Sequence, residues 1–208
     1  MHIMKLDLKD KKKAAKVLAA AFYDYPQIEH YFPDVNIRSR YLEWYMKKVM
    51  NCALRYGEAY ISSGFEGVIF ILPPGHTKIS NLEYAINGFV FVPLIFGLQQ
   101  HHRILECEDF VMKMHKDIMN GRPHYYLWGL AVDPGHQRNG VGRMLLNQLL
   151  EKADSEKKPV YLETHDEKNV RYYQQKGFAL VESSTITGQN LRIWCMVREP
   201  KALAAGED

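Results

Sequence analysis

Apolar and polar positions recur along this chain at two periods, and the changes between them mark out the elements. Ile3 to Asp7 reads as a short first strand. From Asp10 to Tyr23, Ala14, Val17, Leu18, Ala21 and Phe22 fall on one side of a helix. Tyr25-Pro26 and Phe32-Pro33-Asp34 interrupt it, because a residue before proline avoids the helical region, so a loop is expected there. Helical spacing resumes over 36–55, where Tyr41, Trp44, Tyr45, Lys48, Val49 and Cys52 lie three and four apart. Glu58 to Ser62 and Glu66 to Leu72 then read as a strand pair, turned by Ser63-Gly64 and ended by Pro73-Pro74-Gly75.

The segment 79–120 is less regular. Its apolar part, Tyr84 to Leu98, is followed by a charged run from His101 to Met119. A membrane-spanning helix needs about 20 apolar residues. This stretch is shorter and is interrupted by Gly88 and Pro93, so no stable membrane insertion is expected. A pair of packed helices is the plain expectation, and a lid or wall of a ligand site is the sharper one. Docking of 84–98 on a membrane surface or a partner stays open as an alternative. His101, His102 and His115 show no fixed ligand spacing; they read as surface histidines, and no metal site is expected.

Candidate chemistry begins at Leu127 to Arg143, LWGLAVDPGHQRNGVGR, where an apolar strand runs through a Pro-Gly turn into an amphipathic helix. The free N–H groups of a first helical turn and the helix dipole favour a phosphate-rich ligand. A P-loop would need Lys-Ser/Thr where Val141-Gly142 stands, and a dinucleotide fingerprint would need glycine at Leu145. Gln137-x-x-Gly140-x-Gly142 instead resembles motif A of the GNAT N-acetyltransferase superfamily. A second block, Val160 to Phe178, resembles that family's N-x-x-x-Y-x-x-x-G-F arrangement through Asn169, Tyr173, Gly177 and Phe178. Asn169-Val-x-Tyr-Tyr is closest to a subset that includes antibiotic-modifying enzymes, a hint of a small-molecule acceptor.

The resemblance implies an α/β GNAT fold. That is a central mixed, mostly antiparallel twisted sheet of about six to seven strands flanked by helices, with a helical insertion before the cofactor-binding strand. It implies an acetyl-CoA (coenzyme A)-dependent acyltransferase that moves an acetyl group directly to a primary amine of a small molecule or peptide in a ternary complex. Backbone groups of Leu130, Ala131 and Val132 would hold the pantetheine arm, with an amide near Val132 polarising the thioester carbonyl. Gln137, Arg138, Asn139, Gly140, Val141, Gly142 and Arg143 would hold the pyrophosphate. Asn169 would touch the pantetheine region, and Tyr173 would protonate the departing sulfur. A CoA-binding sensor or scaffold without turnover is a second alternative.

For the general base the residues offer Glu163 and His165, which strand alternation places on one face. Glu163 is the candidate catalytic group, with a structural hydrogen-bonding role as its alternative; His165 reads as a loop residue. Phe22, Tyr23, Tyr25, Tyr31 and Phe32 lie where this fold lines its acceptor site, and either stack on an amine or belong to the core.

Composition sets the outer bounds. The 208 residues, nearly half of them apolar, fit a single domain over 1–200, with 79–120 as a helical insertion and 201–208 as a flexible tail. A net charge of +3 without a basic stripe argues against nucleic acid. Cys52, Cys107 and Cys195 are scattered, which suggests neither a zinc site nor a disulfide framework. The charged start lacks an apolar signal region, so a cytoplasmic protein is expected. Homodimerisation stays open.

Overall fold

The computed structural model describes residues 2–186 and 190–201, so the tail expected over 201–208 lies, after its first residue, outside the described residues. The chain opens with β1 (Ile3–Lys5), α1 (Lys11–Ala21), α2 (Pro26–Tyr31), α3 (Val35–Tyr56), β2 (Glu58–Ser62) and β3 (Gly67–Leu72). Three helices follow, α4 (Asn81–Ile86), α5 (Val92–Phe96) and α6 (Leu98–Met119). The second half is β4 (Tyr125–Val132), α7 (Val141–Ser155), β5 (Val160–Thr164), α8 (Glu167–Gln174), β6 (Ala179–Ile186) and β7 (Leu191–Arg198). The strands form one sheet in the order β1-β2-β3-β4-β5-β7-β6. Its β4–β5 pair is parallel and its other pairs antiparallel, which is the mixed α/β sheet expected.

β3 is buried at every position because helices cover both faces of the sheet. Val68, Phe70 and Leu72 share one core with Ala14 and Leu18 of α1 and Leu42 and Met46 of α3. Ile69 and Ile71 face the other way, into a second core with Leu145, Leu146 and Leu149 of α7. The central strands are thereby clamped on both sides, and whatever they present at their ends is held rigidly.

Three local expectations change. The loop expected around Pro26 contains α2, because a proline in the first helical turn loses no hydrogen bond and starts a helix as readily as it stops one. The apolar run 84–98 is cut into short pieces at Gly88 (φ +98°) and Gly97 (φ +96°), left-handed positions that glycine adopts without strain. His115 is buried rather than on the surface: α6 turns it toward the sheet with Cys107, Val111 and Met114. There its ring stacks on Tyr161 with centroids 4.2 Å apart, and its Nε2 lies 2.6 Å from His124 Nε2. Burial and the neighbouring His124 push His115 down to about 3, so the imidazole packs as a neutral aromatic.

The outer side of this helical segment exposes Leu82, Ile86, Val90, Phe91, Leu94 and Leu98. No helix among the described residues is long and apolar enough to cross a membrane.

Candidate active site

The site begins where the sheet comes apart. β4 pairs with β3 as far as Gly67 opposite Val132. Its parallel register with β5 comprises only Tyr125–Val160 and Tyr126–Tyr161. Beyond Tyr126, β5 stays with β7 through Thr164 opposite Trp194, and β4 leaves it. A register shift between Phe70 and Ile71 passes over Trp128 and bends β4 at the same level. Gly129 is required there: a Cβ would overlap the Phe70 ring that lies across it. From Leu127 to Val132 the chain therefore offers a strand edge to an open gap, with Leu130, Ala131 and Val132 at its end.

β4 then enters the glycine turn. Asp133 fixes the entry by accepting the Gly135 N–H at 3.0 Å. Arg138 (φ +65°) and Gly140 (φ +83°) both take the left-handed conformation around Asn139. Alternation of this kind turns successive N–H groups toward one concavity, the geometry of a backbone anion nest. Among the turn, loop and cap bonds of the described residues, the amides from Arg138 to Arg143 donate none; Met144 is the first, to Gly140 O at 3.0 Å. The two glycines differ. Gly140 has open space on its Cβ side, its nearest neighbour there being the tip of Arg143. Gly142 is packed, since a Cβ would come within 3.3 Å of Val132 and 3.7 Å of the Tyr172 phenol. The mapped pyrophosphate positions are thus mostly exposed backbone, and Gly142 serves the helix–strand contact.

α8 brings in the other half. Asp166 caps it by accepting the Lys168 N–H at 3.0 Å, and Val170 and Tyr173 are its buried face. Asn169 Nδ2 donates to Thr164 Oγ1 at 3.2 Å, which ties the start of α8 to the end of β5.

Glu163, Asn169 and Tyr173 line one cavity of about 460 Å³ together with Leu127 to Leu130 of the splayed strand. The segment from α4 to α6 lines the same cavity through residues such as Tyr84, Phe89, Ile104 and Glu108. Of the five aromatics expected near an acceptor, Phe22, Tyr25 and Tyr31 line the cavity. Phe32 is core, stacked on Phe96 at 4.2 Å, and Tyr23 is bonded to Ser39 at 2.6 Å.

The electrostatics are acidic. Glu163 accepts the Tyr126 phenol at 2.5 Å. Burial raises its carboxyl to about 8; the Tyr126 hydrogen bond opposes the rise and the Glu108 charge adds to it. Glu108 accepts the Tyr31 phenol at 2.7 Å, and burial raises it too. Tyr173 is pushed well above the usual phenol range by burial, with lesser contributions from Tyr25, Tyr172 and Glu163, so it holds its proton. His165 follows β5, as a loop residue should, yet it is buried. Its Nδ1 meets Arg192 O at 2.9 Å, which makes Nδ1 the protonated nitrogen, and burial lowers it to about 4.

Glu108 and Tyr126 are cavity groups that sequence reasoning missed. Glu108 did carry a signal. It sits four residues after Ile104 and three before Val111, on the buried stripe of α6, where a carboxylate is out of place unless it has work to do. Tyr126 carried none, since an aromatic in a strand is ordinarily core.

A splayed central strand, an amide-rich turn at the following helix and an acidic cavity at the gap form the frame of an acyl-transfer enzyme. Residues 101–178 match the family described as Acetyltransferase (GNAT) family. The whole chain aligns with 87% of an uncharacterized N-acetyltransferase of Schizosaccharomyces pombe at 26% identity. Residues 101–178 thus carry a GNAT acetyltransferase domain match, and the protein is an acyltransferase.

Solved structures agree on the fold. A Corynebacterium glutamicum structure described as histone acetyltransferase HPA2 and related acetyltransferase superposes with a TM-score of 0.68 at 18% identity, covering 98% of each chain. A Drosophila melanogaster polyamine N-acetyltransferase, which forms N-acetylagmatine, superposes with a TM-score of 0.63 at 12% identity over 95% of this chain and 99% of its own. At these identities the likeness is one of fold.

Proposed function

We propose that the protein moves the acetyl group of acetyl-CoA directly to the primary amine of a small cationic acceptor, with residues 1–200 working as one domain and 79–120 as its acceptor-side insertion. The observation that carries this reading is the shared cavity of Glu163, Asn169 and Tyr173, which lies against the free edge of β4 and has no Lys or Arg in its lining. Its volume of about 460 Å³ suits a small molecule.

The fold offers the donor a matching path. Backbone groups of Leu130, Ala131 and Val132 pair with its amide-bearing arm, next to Asn169. The nest at Gln137, Arg138, Asn139, Gly140, Val141, Gly142 and Arg143 takes its pyrophosphate, with two arginines close by. When bound, acetyl-CoA supplies an acetyl carbon activated as a thioester.

Glu163 takes the acceptor's proton, directly or through a water. A carboxyl raised to about 8 is a stronger base than an ordinary carboxylate and is partly ionised near neutrality. An amide near Val132 polarises the carbonyl, and the still-protonated Tyr173 gives its proton to the departing sulfur.

Isothermal titration with acetyl-CoA, free CoA and NADH tests the donor assignment, followed by thiol release against an amine panel. Binding of both CoA species but not NADH, with release that depends on the amine, is the expected result. Well-folded protein that binds neither CoA species removes the turn assignment.

A further inference from the structure

Resting on that reading, a second carboxylate extends it to the kind of acceptor. Glu108 is fixed from behind: Gln27 Nε2 donates to the Tyr31 oxygen at 2.9 Å, and Tyr31 in turn donates to Glu108 Oε1 at 2.7 Å. The phenol proton is therefore committed to Glu108, and this bond opposes the rise that burial imposes on its carboxyl. Three acids line the cavity, Glu108, Asp109 and Glu163, and no ion pair among the described residues reaches any of them. A buried carboxylate without a cation is costly, and a ligand that brings one recovers that cost. Glu163 has its counterpart in the amine that reacts. Glu108 has none.

Much of the remaining lining is apolar and aromatic, and Ile28, Phe89, Val92 and Trp128 suit methylenes. The ligand described by these surfaces is cationic at both ends and hydrocarbon between. We propose that Glu108 is a specificity residue that anchors a second ammonium group, so that the enzyme prefers alkyl diamines, acetylating the nitrogen beside Glu163 while Glu108 holds the other. The reacting ammonium gives one proton to Glu163 and so to solvent; its nitrogen then forms the N–acetyl bond as the acetyl C–S bond breaks, Tyr173 protonates the departing sulfur and recovers its proton from the nitrogen's second N–H, and the distal ammonium stays charged throughout.

The test is steady-state thiol release with diaminobutane and butylamine as a matched pair, extended one methylene at a time. A charge-assisted contact at the distal nitrogen should give the diamine an advantage of about ten- to hundredfold in kcat/KM. Glu108→Gln should remove it by raising the diamine KM about tenfold or more relative to the butylamine KM, while any effect of the lost charge on Glu163 falls on both amines alike. Glu108→Asp, which withdraws the carboxylate, should move the preferred diamine one methylene longer, a change that a merely structural role would not produce. Equal use of the two amines by the wild type, or a Glu108→Gln variant that keeps the wild-type ratio of diamine to butylamine kcat/KM, overturns the proposal.

Calorimetric titration of diaminobutane against butylamine separates the two layers. If no amine releases thiol yet diaminobutane binds in a Glu108-dependent manner, acetyl transfer fails and the diamine site stands. If both amines bind alike, the site assignment falls whatever the enzyme does with acetyl-CoA.

Discussion

The glycine turn after β4 and the cavity behind it are built by opposite means. The turn is continuous in sequence, mostly exposed, and made of main-chain N–H groups set by two left-handed residues, Arg138 and Gly140. The cavity draws side chains from α2, α3, β3, β4, β5, α8, the loop after α1 and the α4–α6 segment, and its working groups are titratable and shielded from water. The first can bind a phosphate with almost any side chains present. The second owes its chemistry to individual atoms, so substitutions should weigh very differently in the two places.

The largest effect is expected in the cavity. Glu163→Gln should lower kcat by about a hundredfold or more, the ordinary contribution of a general base. The pH profile gives an independent check. Glu163 acts as a base only when ionised, so wild-type kcat/KM should rise as pH passes through about 8, and the variant should lose that limb. Stability should run the other way. Below the usual carboxylate range both folded and unfolded chains hold the proton. Between there and about 8 the folded chain alone keeps it, so wild-type stability should fall across that interval, and Glu163→Gln should flatten the fall. A variant with the wild-type pH–rate profile would assign Glu163 a structural role.

Next comes Tyr173→Phe, with turnover down at least about tenfold and acetyl-CoA affinity nearly unchanged. Unaltered turnover across the pH range would remove Tyr173 from the reaction and leave it as core.

The two glycines then sharpen the contrast within the turn. Gly140→Val places a branched side chain at φ +83° in the open, nest-forming position. It should weaken acetyl-CoA binding by about tenfold or more. Gly142→Val meets Val132 and Tyr172 instead, so its first effect should be a lower melting temperature. Equal melting loss with unchanged affinity in both variants would break the distinction drawn between them.

The smallest change belongs to Arg138→Ala. An exposed charge beside a backbone site should matter by only about two- to fivefold in acetyl-CoA affinity, and less at high salt. A loss as large as that of Gly140→Val would mean that the turn binds through its side chains, contrary to the comparison.

Legibility followed the same division. β2, β3, α1 and α3 were readable because each carries its own periodicity, and the turn was readable because its chemistry sits in adjacent letters. α2 was missed because proline has two meanings, to end a helix or to begin one, and the choice depends on what the next turn packs against; here Ile28 and Tyr31 are buried. His115 was misplaced because a histidine in a charged run looks solvated until the helix is rotated against a sheet that offers Tyr161 to stack on. The pairing of Glu163 with Tyr126 and of Glu108 with Tyr31 spans residues far apart in the chain, and no local pattern encodes it.

Neighbouring residues alone encode the alternation of strands and helices, the central strand with both faces apolar, and a glycine turn at the head of a helix. Those depend on backbone sterics and on the side chains of neighbouring residues, interactions fixed within a few positions of one another. Tertiary structure alone decided where β4 parts from β5, which carboxylates share the resulting cavity and how strongly burial perturbs them. Desolvation is a property of everything packed around a group, and for Glu163 and Glu108 those surroundings come from elements scattered over most of the chain.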